Sequence, residues 1–551
     1  MEFLKEGKIL AIKGVGGYAL VCNGLNVNAI LALRTRKNRP RKPFAIMCKD
    51  VEMAKTYANL GSLEILESNI APIMLCDARE NTPLPLFAIA PNLATLGIIL
   101  PYAPLHYLLF DAIDFPLIFT SANLSGEPII KDFSKVVESL GDVCDGVLLY
   151  NRDILNPIDD SLVRTILYNN QEQMQVLRRA RGFLCEIDLP VKSEKTFLAL
   201  GAQQKATFCL KTQNKVLLSP HLGDLENVAS VENFLNVQNL FVGQYHSVFK
   251  DFVLDLHPNY AQREFVPDLN KTKRVQHHFA HLLSNLAENH IKEPVLGVIF
   301  DGTGYGEDGR IWGGEFLSWN PKRPLEFKRI GHFDDFFLLG GEKAIKEIKR
   351  LGLSLVFESF KEEYKTLDLP LFREFSREHL EIFYTLQTSS STKVSCNSVG
   401  RLFDGVSALC GACFQTSYEG EGGMVLESFA LKALKKLKSK RINAYSYEIC
   451  GGVISYAMMI KEICRDLKQG VEASEIALKF HITLAGVIAQ VAKDYSCVVL
   501  SGGCFQNALL TQFTLEKLKN KMVYLNKEIP CNDGGISVGQ AYFMELCFAH
   551  S

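Results

Sequence analysis

The sequence predicts an α/β protein of two successive domains, and three observations carry that expectation. Short apolar runs such as Ile9-Leu10-Ala11-Ile12 and Pro116-Leu117-Ile118-Phe119 alternate with helical stretches such as Asn28 to Leu33, as far as about Ile187. Composition turns polar between Pro190 and Lys195, and a new apolar strand follows at Phe197-Leu198-Ala199-Leu200-Gly201. Beyond it, apolar strands run into glycine turns at Ala199 to Gly201, Val295 to Gly306 and Val498 to Gly503, where backbone amides are able to face an anion. The first domain is therefore placed at residues 1–190 and the second at residues 196–551, a large two-lobed fold of the nucleotide-binding kind. Helices are expected in the second domain at Glu421 to Lys438 and Ser474 to Lys493.

Bulk composition excludes several classes. At 551 residues the chain exceeds what one core organises, and 47% hydrophobic with 22% charged residues is a folding composition, not a disordered one. A net charge of -1 gives no global field for nucleic acid or an anionic membrane, so neither is expected as a partner. Fifteen cysteines form an odd set without a disulfide framework, and Met1 to Ile9 lacks the apolar stretch of a signal peptide, so a reducing cytoplasm is expected. No purely apolar run approaches the ~20 residues that cross a bilayer.

In the first domain, Arg34 to Lys42 carries six cations in nine positions and no acid. Guanidinium forks and ammonium groups held close by prolines suit a triphosphate, whereas the plainer reading is a solvated charge run. Thr120-Ser121-Ala122-Asn123-Leu124-Ser125-Gly126-Glu127-Pro128 follows an apolar strand directly, so its hydroxyls and amide are placed to orient a small polar acyl group. With Lys13-Gly14-Val15-Gly16-Gly17-Tyr18, Leu100 to His106, Asn151-Arg152 and Asp159 to Arg164, these stretches resemble the YrdC-like domain, from about Gly7 to Leu189. The resemblance implies a twisted α/β sheet with a basic concave face that binds ATP and an acyl acceptor. On that reading Lys13, Arg34, Lys37, Arg39 and Lys42 neutralise phosphates, while Ser121 and Asn123 orient the small acid.

The second domain carries Val275-Gln276-His277-His278-Phe279-Ala280-His281. If helical, it brings His277 and His281 one turn apart on one face, a spacing at which two imidazoles hold one metal, provided a further ligand exists. Candidates lie at Phe300-Asp301-Gly302-Thr303-Gly304-Tyr305-Gly306 and Asn532-Asp533-Gly534-Gly535, each a carboxylate beside glycines at a strand end. A third glycine turn, Leu500-Ser501-Gly502-Gly503-Cys504-Phe505-Gln506-Asn507, offers amides to phosphates. Cys504 has no neighbouring histidine or acid in sequence to activate it and reads as a structural thiol. Cys410 and Cys413 form a lone pair that reads as helix-end packing, not as zinc or redox chemistry.

These residues, together with Ile311-Trp312-Gly313-Gly314-Glu315, Gly400 to Asp404, Tyr418-Glu419-Gly420 and Asn532 to Gln540, resemble the HypF hydrogenase-maturation carbamoyltransferase family. The likeness runs over nearly the whole chain, with a YrdC-like domain before an actin-like ATPase-fold (ASKHA) domain. It implies a metal, zinc or iron, on His277, His281, Asp301 and Asp533, and phosphates lined by Gly302, Thr303, Gly304, Gly502 and Gly503. Asp404 and Glu427 are implied as ribose contacts, and Asn507 as a residue near the phosphates. It implies further that ATP with Mg2+ and carbamate, drawn from carbamoyl phosphate, form carbamoyl adenylate in the first domain. The second domain would then pass the carbamoyl group to the C-terminal cysteine of HypE for cyanide ligand synthesis. Family members usually begin with an acylphosphatase domain and paired zinc fingers; the resemblance implies that another chain supplies that step, or that this is a split gene or a fragment whose missing half is encoded separately. The rival readings are tRNA threonylcarbamoyladenosine biosynthesis and a non-catalytic scaffold that docks HypE.

Overall fold

The computed structural model describes residues 1–245, 249–389, 394–437 and 442–550. The chain forms two compact units. One comprises Met1–Leu254, Asn259–Lys273 and Lys527–Phe548; the other comprises Asp255–Pro258 and Arg274–Asn526, with the last residues from Ala549.

The first unit opens with a mixed sheet. Its strands run in the order Gln171–Arg178, Leu162–Tyr168, Ile73–Ala78, Thr95–Ile99, Ala45–Met47, Leu117–Ser121, Tyr18–Asn23, Leu10–Lys13 and Gly146–Leu148. Parallel and antiparallel neighbours are mixed along it, with three successive antiparallel pairs from Ala45–Met47 to Leu10–Lys13. One end of this sheet gathers chemistry: Lys13 pairs with Tyr18 while Ser121 pairs with Ala19, so both leave the sheet at the same edge. The helix Val27–Arg36 starts where Asn26 accepts from the Ala29 amide, and it buries Ala29, Ile30 and Leu33. Its last turn delivers the basic segment. Apolar positions of the strands and of the helix Pro104–Phe110 close the core, with Ile12, Val21, Met47, Ile99 and Leu117 fully covered.

A smaller sheet in the same unit runs Glu186–Ile187, Val216–Leu218, Cys209–Lys211, Phe197–Ala199 and then Asp251–Asp255, the last residue of which opens the second unit. The polar segment expected as a linker is tied down: Ser193 donates its amide to Glu545 (2.6 Å) and accepts from Lys211 Nζ (2.7 Å). Lys211 and Glu545 are themselves a buried pair at 3.7 Å.

The second unit has its own mixed sheet, ordered Glu448–Cys450, Val453–Ser455, Phe327–Phe333, Ile311–Trp319, Val295–Tyr305, Cys497–Ser501 and Met522–Leu525. Val295–Tyr305 and Cys497–Ser501 are parallel, so their glycine turns emerge together. The motif His277 to His281 is helical, in His277–Glu288, and helices form at Glu421–Leu437 and Ala473–Val491, the latter two within two residues of the expected bounds; Lys438 lies outside the described residues. Ala473–Val491 is long and apolar enough by composition to cross a membrane, yet it carries Glu475, Lys479 and His481 and buries its apolar face in the unit.

His481 on that helix is fully buried. Its Nδ1 donates to the Ala477 carbonyl (2.7 Å) and its Nε2 accepts from Asn507 (2.9 Å), a pairing that only the neutral ring satisfies. Burial lowers its pKa to about 4, against the ordinary 6.5. The unfolded chain therefore takes up the proton first as pH falls. The stability from this ring is complete above pH 6.5 and lost as pH falls toward 4, by on the order of 3 kcal/mol. Chemical denaturation of H481Q over that window should show a shallower loss of stability than the parent chain; equal slopes would contradict the assignment.

Candidate active site

The strand Val295–Tyr305 breaks register where function needs it to. Phe300 pairs with Gly314 and Gly304 with Trp312, so Asp301, Gly302 and Thr303 bulge out opposite the single residue Gly313. This lifts Asp301 off the ladder at a strand end. Its Oδ1 accepts from the Gly503 amide (2.9 Å), leaving Oδ2 for other partners. Ser398, the N-cap of the helix Val399–Leu409, reaches the carbonyls of Asp301 and Gly302 (2.7 Å each). Gly400 follows it, where a Cβ would stand 2.8 Å from Gly302 Cα, so only glycine lets the helix N-terminus approach the loop this closely.

The helix His277–Glu288 brings the imidazoles to that carboxylate. Gln276 caps it by accepting from the Phe279 amide (2.8 Å), and all of His277, His278 and His281 are buried. His277 Nε2 and His281 Nε2 lie 3.3 and 3.4 Å from the same oxygen, Asp301 Oδ2. His277 Nδ1 lies 2.8 Å from Asp255 Oδ2, with both side chains covered. If Nδ1 carries the proton for Asp255, Nε2 presents a lone pair to a carboxylate oxygen. Two lone pairs face each other comfortably only with a cation between them. One donor atom each from His277, His281 and Asp301 lies within 4.8 Å of the others. Two imidazoles and a carboxylate, with a second carboxylate behind one ring, fit a first-row divalent ion. Asp255 is a residue that the sequence analysis passes over. Its signal was available, because Phe252-Val253-Leu254-Asp255 is an apolar strand ending in an acid, as is Val298-Ile299-Phe300-Asp301.

Gly302, Thr303, Gly502 and Gly503 lie on the two loops beside Asp301, and Gly502 has a φ of +94° where a Cβ would strike the Phe300 carbonyl. Gly304 packs against the imidazoles: a Cβ there would collide with His278 and stand 2.6 Å from His277 Cδ2. Asp404 pairs with Arg401 (3.0 Å), while burial raises its pKa to about 6 despite that guanidinium. Glu427 accepts from the amides of Ala508 (2.6 Å) and Leu509 (3.3 Å), at the start of the helix Ala508–Lys517. Asn507 is the N-cap of the same helix, accepting from Leu510 (2.9 Å). Cys410 is buried, with its thiol pushed up to about 12 by burial, while Cys504 is half-buried on the turn Gly503–Gln506.

Asp533 belongs to the first unit. Asn532 holds its turn, accepting from Gly534 (3.0 Å) and donating to the Leu177 carbonyl (2.9 Å). Gly201 and Gln540 bond reciprocally beside it (2.8 and 3.2 Å), and Thr207 donates to the Gly534 carbonyl (3.0 Å).

Lys37, Ser121 and Asn123 come together in the first unit. Lys37 Nζ donates to the carbonyls of Ser121 (2.7 Å) and Asn123 (2.6 Å) and to Asn123 Oδ1 (3.0 Å), which also accepts from Ser121 Oγ (2.8 Å). Burial, then the charges of Arg39 and Lys42, push the Lys37 pKa down to about 7 against the pull of Asp159. Lys42 goes down to about 8 by burial and by Arg39 and Arg178, although its side chain still meets water and is partly screened. Lys13 lies over the Tyr150 ring and donates to its carbonyl (3.4 Å). Arg34 turns inward: its guanidinium donates to the carbonyls of Ala88 (2.5 Å), Ile89 (2.8 Å), Arg39 (2.8 Å) and Lys42 (3.1 Å). Arg39 in turn donates to the carbonyls of Lys42 (3.2 Å) and Pro43 (2.6 Å). Arg34 therefore shapes the loop that presents the other cations.

Comparison with known proteins agrees with both halves of this picture. Residues 2–180 match a YrdC-type family model described as telomere recombination. Residues 192–288 match the HypF Kae1-like domain, and residues 297–540 the carbamoyltransferase Kae1-like domain, second subdomain. The molecule is thus an α/β transferase in which a YrdC-like domain precedes an actin-like ATPase-fold domain of the Kae1 type. The carbamoyltransferase HypF of Synechocystis is 33% identical over 98% of this chain and 72% of its own length. The Rhodobacter capsulatus HypF is 34% identical over 98% of this chain and 71% of its own. A crystal structure of full-length HypF in a phosphate- and nucleotide-bound form superposes with a TM-score of 0.90 at 36% identity, covering 99% of this chain and 86% of that one. This chain belongs to the HypF carbamoyltransferase family, and its reaction class is carbamoyl transfer.

Substituting Gly304 by alanine forces a methyl group into the His277 and His278 rings. Overpacking of this kind costs about 1–3 kcal/mol, so G304A should lower the thermal midpoint, read by calorimetry; an unchanged midpoint would contradict the packing described.

Proposed function

We propose that the chain uses ATP to convert carbamate, drawn from carbamoyl phosphate, into carbamoyl adenylate. It then transfers the carbamoyl group to the C-terminal cysteine of HypE, the step toward the cyanide ligand of NiFe hydrogenase. The observation that carries the reading is the meeting of His277 and His281, on one helix face, with Asp301 beside glycine turns.

Activation belongs to the basic cluster of the first domain, residues 1–190. A carbamate oxygen attacks the α-phosphorus of Mg2+-bound ATP, and pyrophosphate leaves. Lys13, Lys37, Arg39 and Lys42 offset the phosphate charge, with Arg34 holding their loop in shape. Lys37, pushed toward neutrality when unliganded, regains a full positive charge once phosphates replace the missing counter-charge. Ser121 and Asn123 orient the small acid through the hydroxyl and amide that Lys37 already aligns.

Transfer belongs to the second domain, residues 196–551. The HypE thiolate attacks the carbamoyl carbon, the bond to the phosphate oxygen breaks, and AMP leaves. His277, His281 and Asp301, with Asp533 as fourth ligand, are suited to hold zinc or iron, which when bound supplies Lewis acidity and a template for the adenylate phosphate. Amides and glycines at Gly302, Thr303, Gly304, Gly502 and Gly503 receive the phosphate. Asp404 and Glu427 face the ribose in this reading, and Glu427 with Asn507 fixes the helix start beside it. The odd number of cysteines, without a disulfide framework in the sequence, supports a reducing cytoplasm as the place of reaction.

Isotope exchange between ATP and pyrophosphate tests the first half. Exchange should require carbamoyl phosphate or carbamate, and K37Q should lower it by about 100-fold, the scale of losing one aligned charge stabiliser. H277A and D533A should keep exchange yet lose carbamoyl transfer to HypE. A folded protein that exchanges nothing, or that turns over ATP only with threonine, would defeat the reading.

A further inference from the structure

We propose that Asp255 is the positioning residue of the metal centre: it fixes the tautomer of His277 and makes that ring a stronger ligand for a divalent ion. The inference rests on the metal reading of the His277, His281 and Asp301 cluster.

The argument starts from which nitrogen is left to bind. An imidazole offers one lone pair when neutral, and the hydrogen bond at the other nitrogen decides which one. His277 Nδ1 stands 2.8 Å from Asp255 Oδ2, a short and charge-assisted distance, while its Nε2 is aimed at the ligand cluster. The carboxylate thus keeps the proton on Nδ1 and the lone pair on Nε2. Asp255 is itself constrained, since its Oδ1 accepts from the His257 amide (2.9 Å) across a tight local turn. Its two oxygens are therefore committed separately, one to backbone and one to the ring. His257 packs on Tyr305 with ring centroids 5.4 Å apart, so the turn is braced against the far end of the Asp301 strand.

Asp255 is 2% exposed and has no lysine or arginine ion pair among the described residues. An isolated buried carboxylate is costly, whereas one placed behind a metal-bound imidazole is neutralised through the ring.

The experiment is a Zn2+ titration of metal-free protein against a chromophoric chelator, for the parent chain, D255N and D255A. Loss of an outer-shell partner of this kind weakens metal binding by about 10–100-fold. D255A should show the larger loss, and D255N, which keeps a hydrogen-bond acceptor without the charge, a smaller one. The metal-free variants should unfold at nearly the parent temperature, which separates positioning from a structural role. Variants that fold and bind Zn2+ as tightly as the parent would overturn the inference and leave the metal reading intact. A parent chain that binds no Zn2+, Fe2+ or Co2+ would instead overturn the metal reading and this inference with it.

Discussion

Two neutral imidazoles that present lone pairs to one carboxylate oxygen repel it, and the second unit is built around that repulsion and its relief. His277 Nε2 and His281 Nε2 approach Asp301 Oδ2 at 3.3 and 3.4 Å inside a covered site. Protonated rings would relieve the repulsion at low pH, but burial resists that charge, and it lowers the pKa of the adjoining His278 strongly. A shared cation relieves it at neutral pH. Much of the second unit is legible as support for that convergence. The bulge lifts Asp301 out of the ladder, Gly503 holds one of its oxygens, and Ser398 ties its carbonyl to a helix N-terminus.

A second, wider ring of contacts stiffens the same loop. Glu315 is fully buried and accepts from Asn397 (2.7 Å) and Arg329 (2.6 Å). Asn397 directly precedes Ser398, and Arg329 lies over the Trp312 ring, which neighbours His278. Removing one member of a buried charged network leaves its partners unpaired, so such networks hold geometry even where their net contribution to stability is small. The motif Ile311-Trp312-Gly313-Gly314-Glu315 thus earns its place by what it braces.

The helical pair His277 and His281 was readable from spacing alone, because a helix places residues four apart on one face. Asp301 was readable as a strand end before glycine. Asp255 was harder to see, since its partner is 22 residues away and only the fold joins them. The basic run Arg34 to Lys42 was visible as charge, but not the division of labour within it. Arg34 spends its guanidinium on four or more carbonyls, a fate set by where Ala88 and Ile89 pack. Glu427 and Asn507 show the same limit: at the start of Ala508–Lys517 they serve amides as helix-capping acceptors, a role that needs the tertiary neighbour to be known.

The central claim is that His277, His281 and Asp301 bind one cation together. X-ray absorption at the zinc edge of the reconstituted protein addresses it most directly. The account predicts a first shell of nitrogen and oxygen at about 2.0–2.1 Å with the outer-shell scattering of two imidazoles and no sulfur. A sulfur-containing shell, or an all-oxygen shell without imidazole scattering, would contradict it.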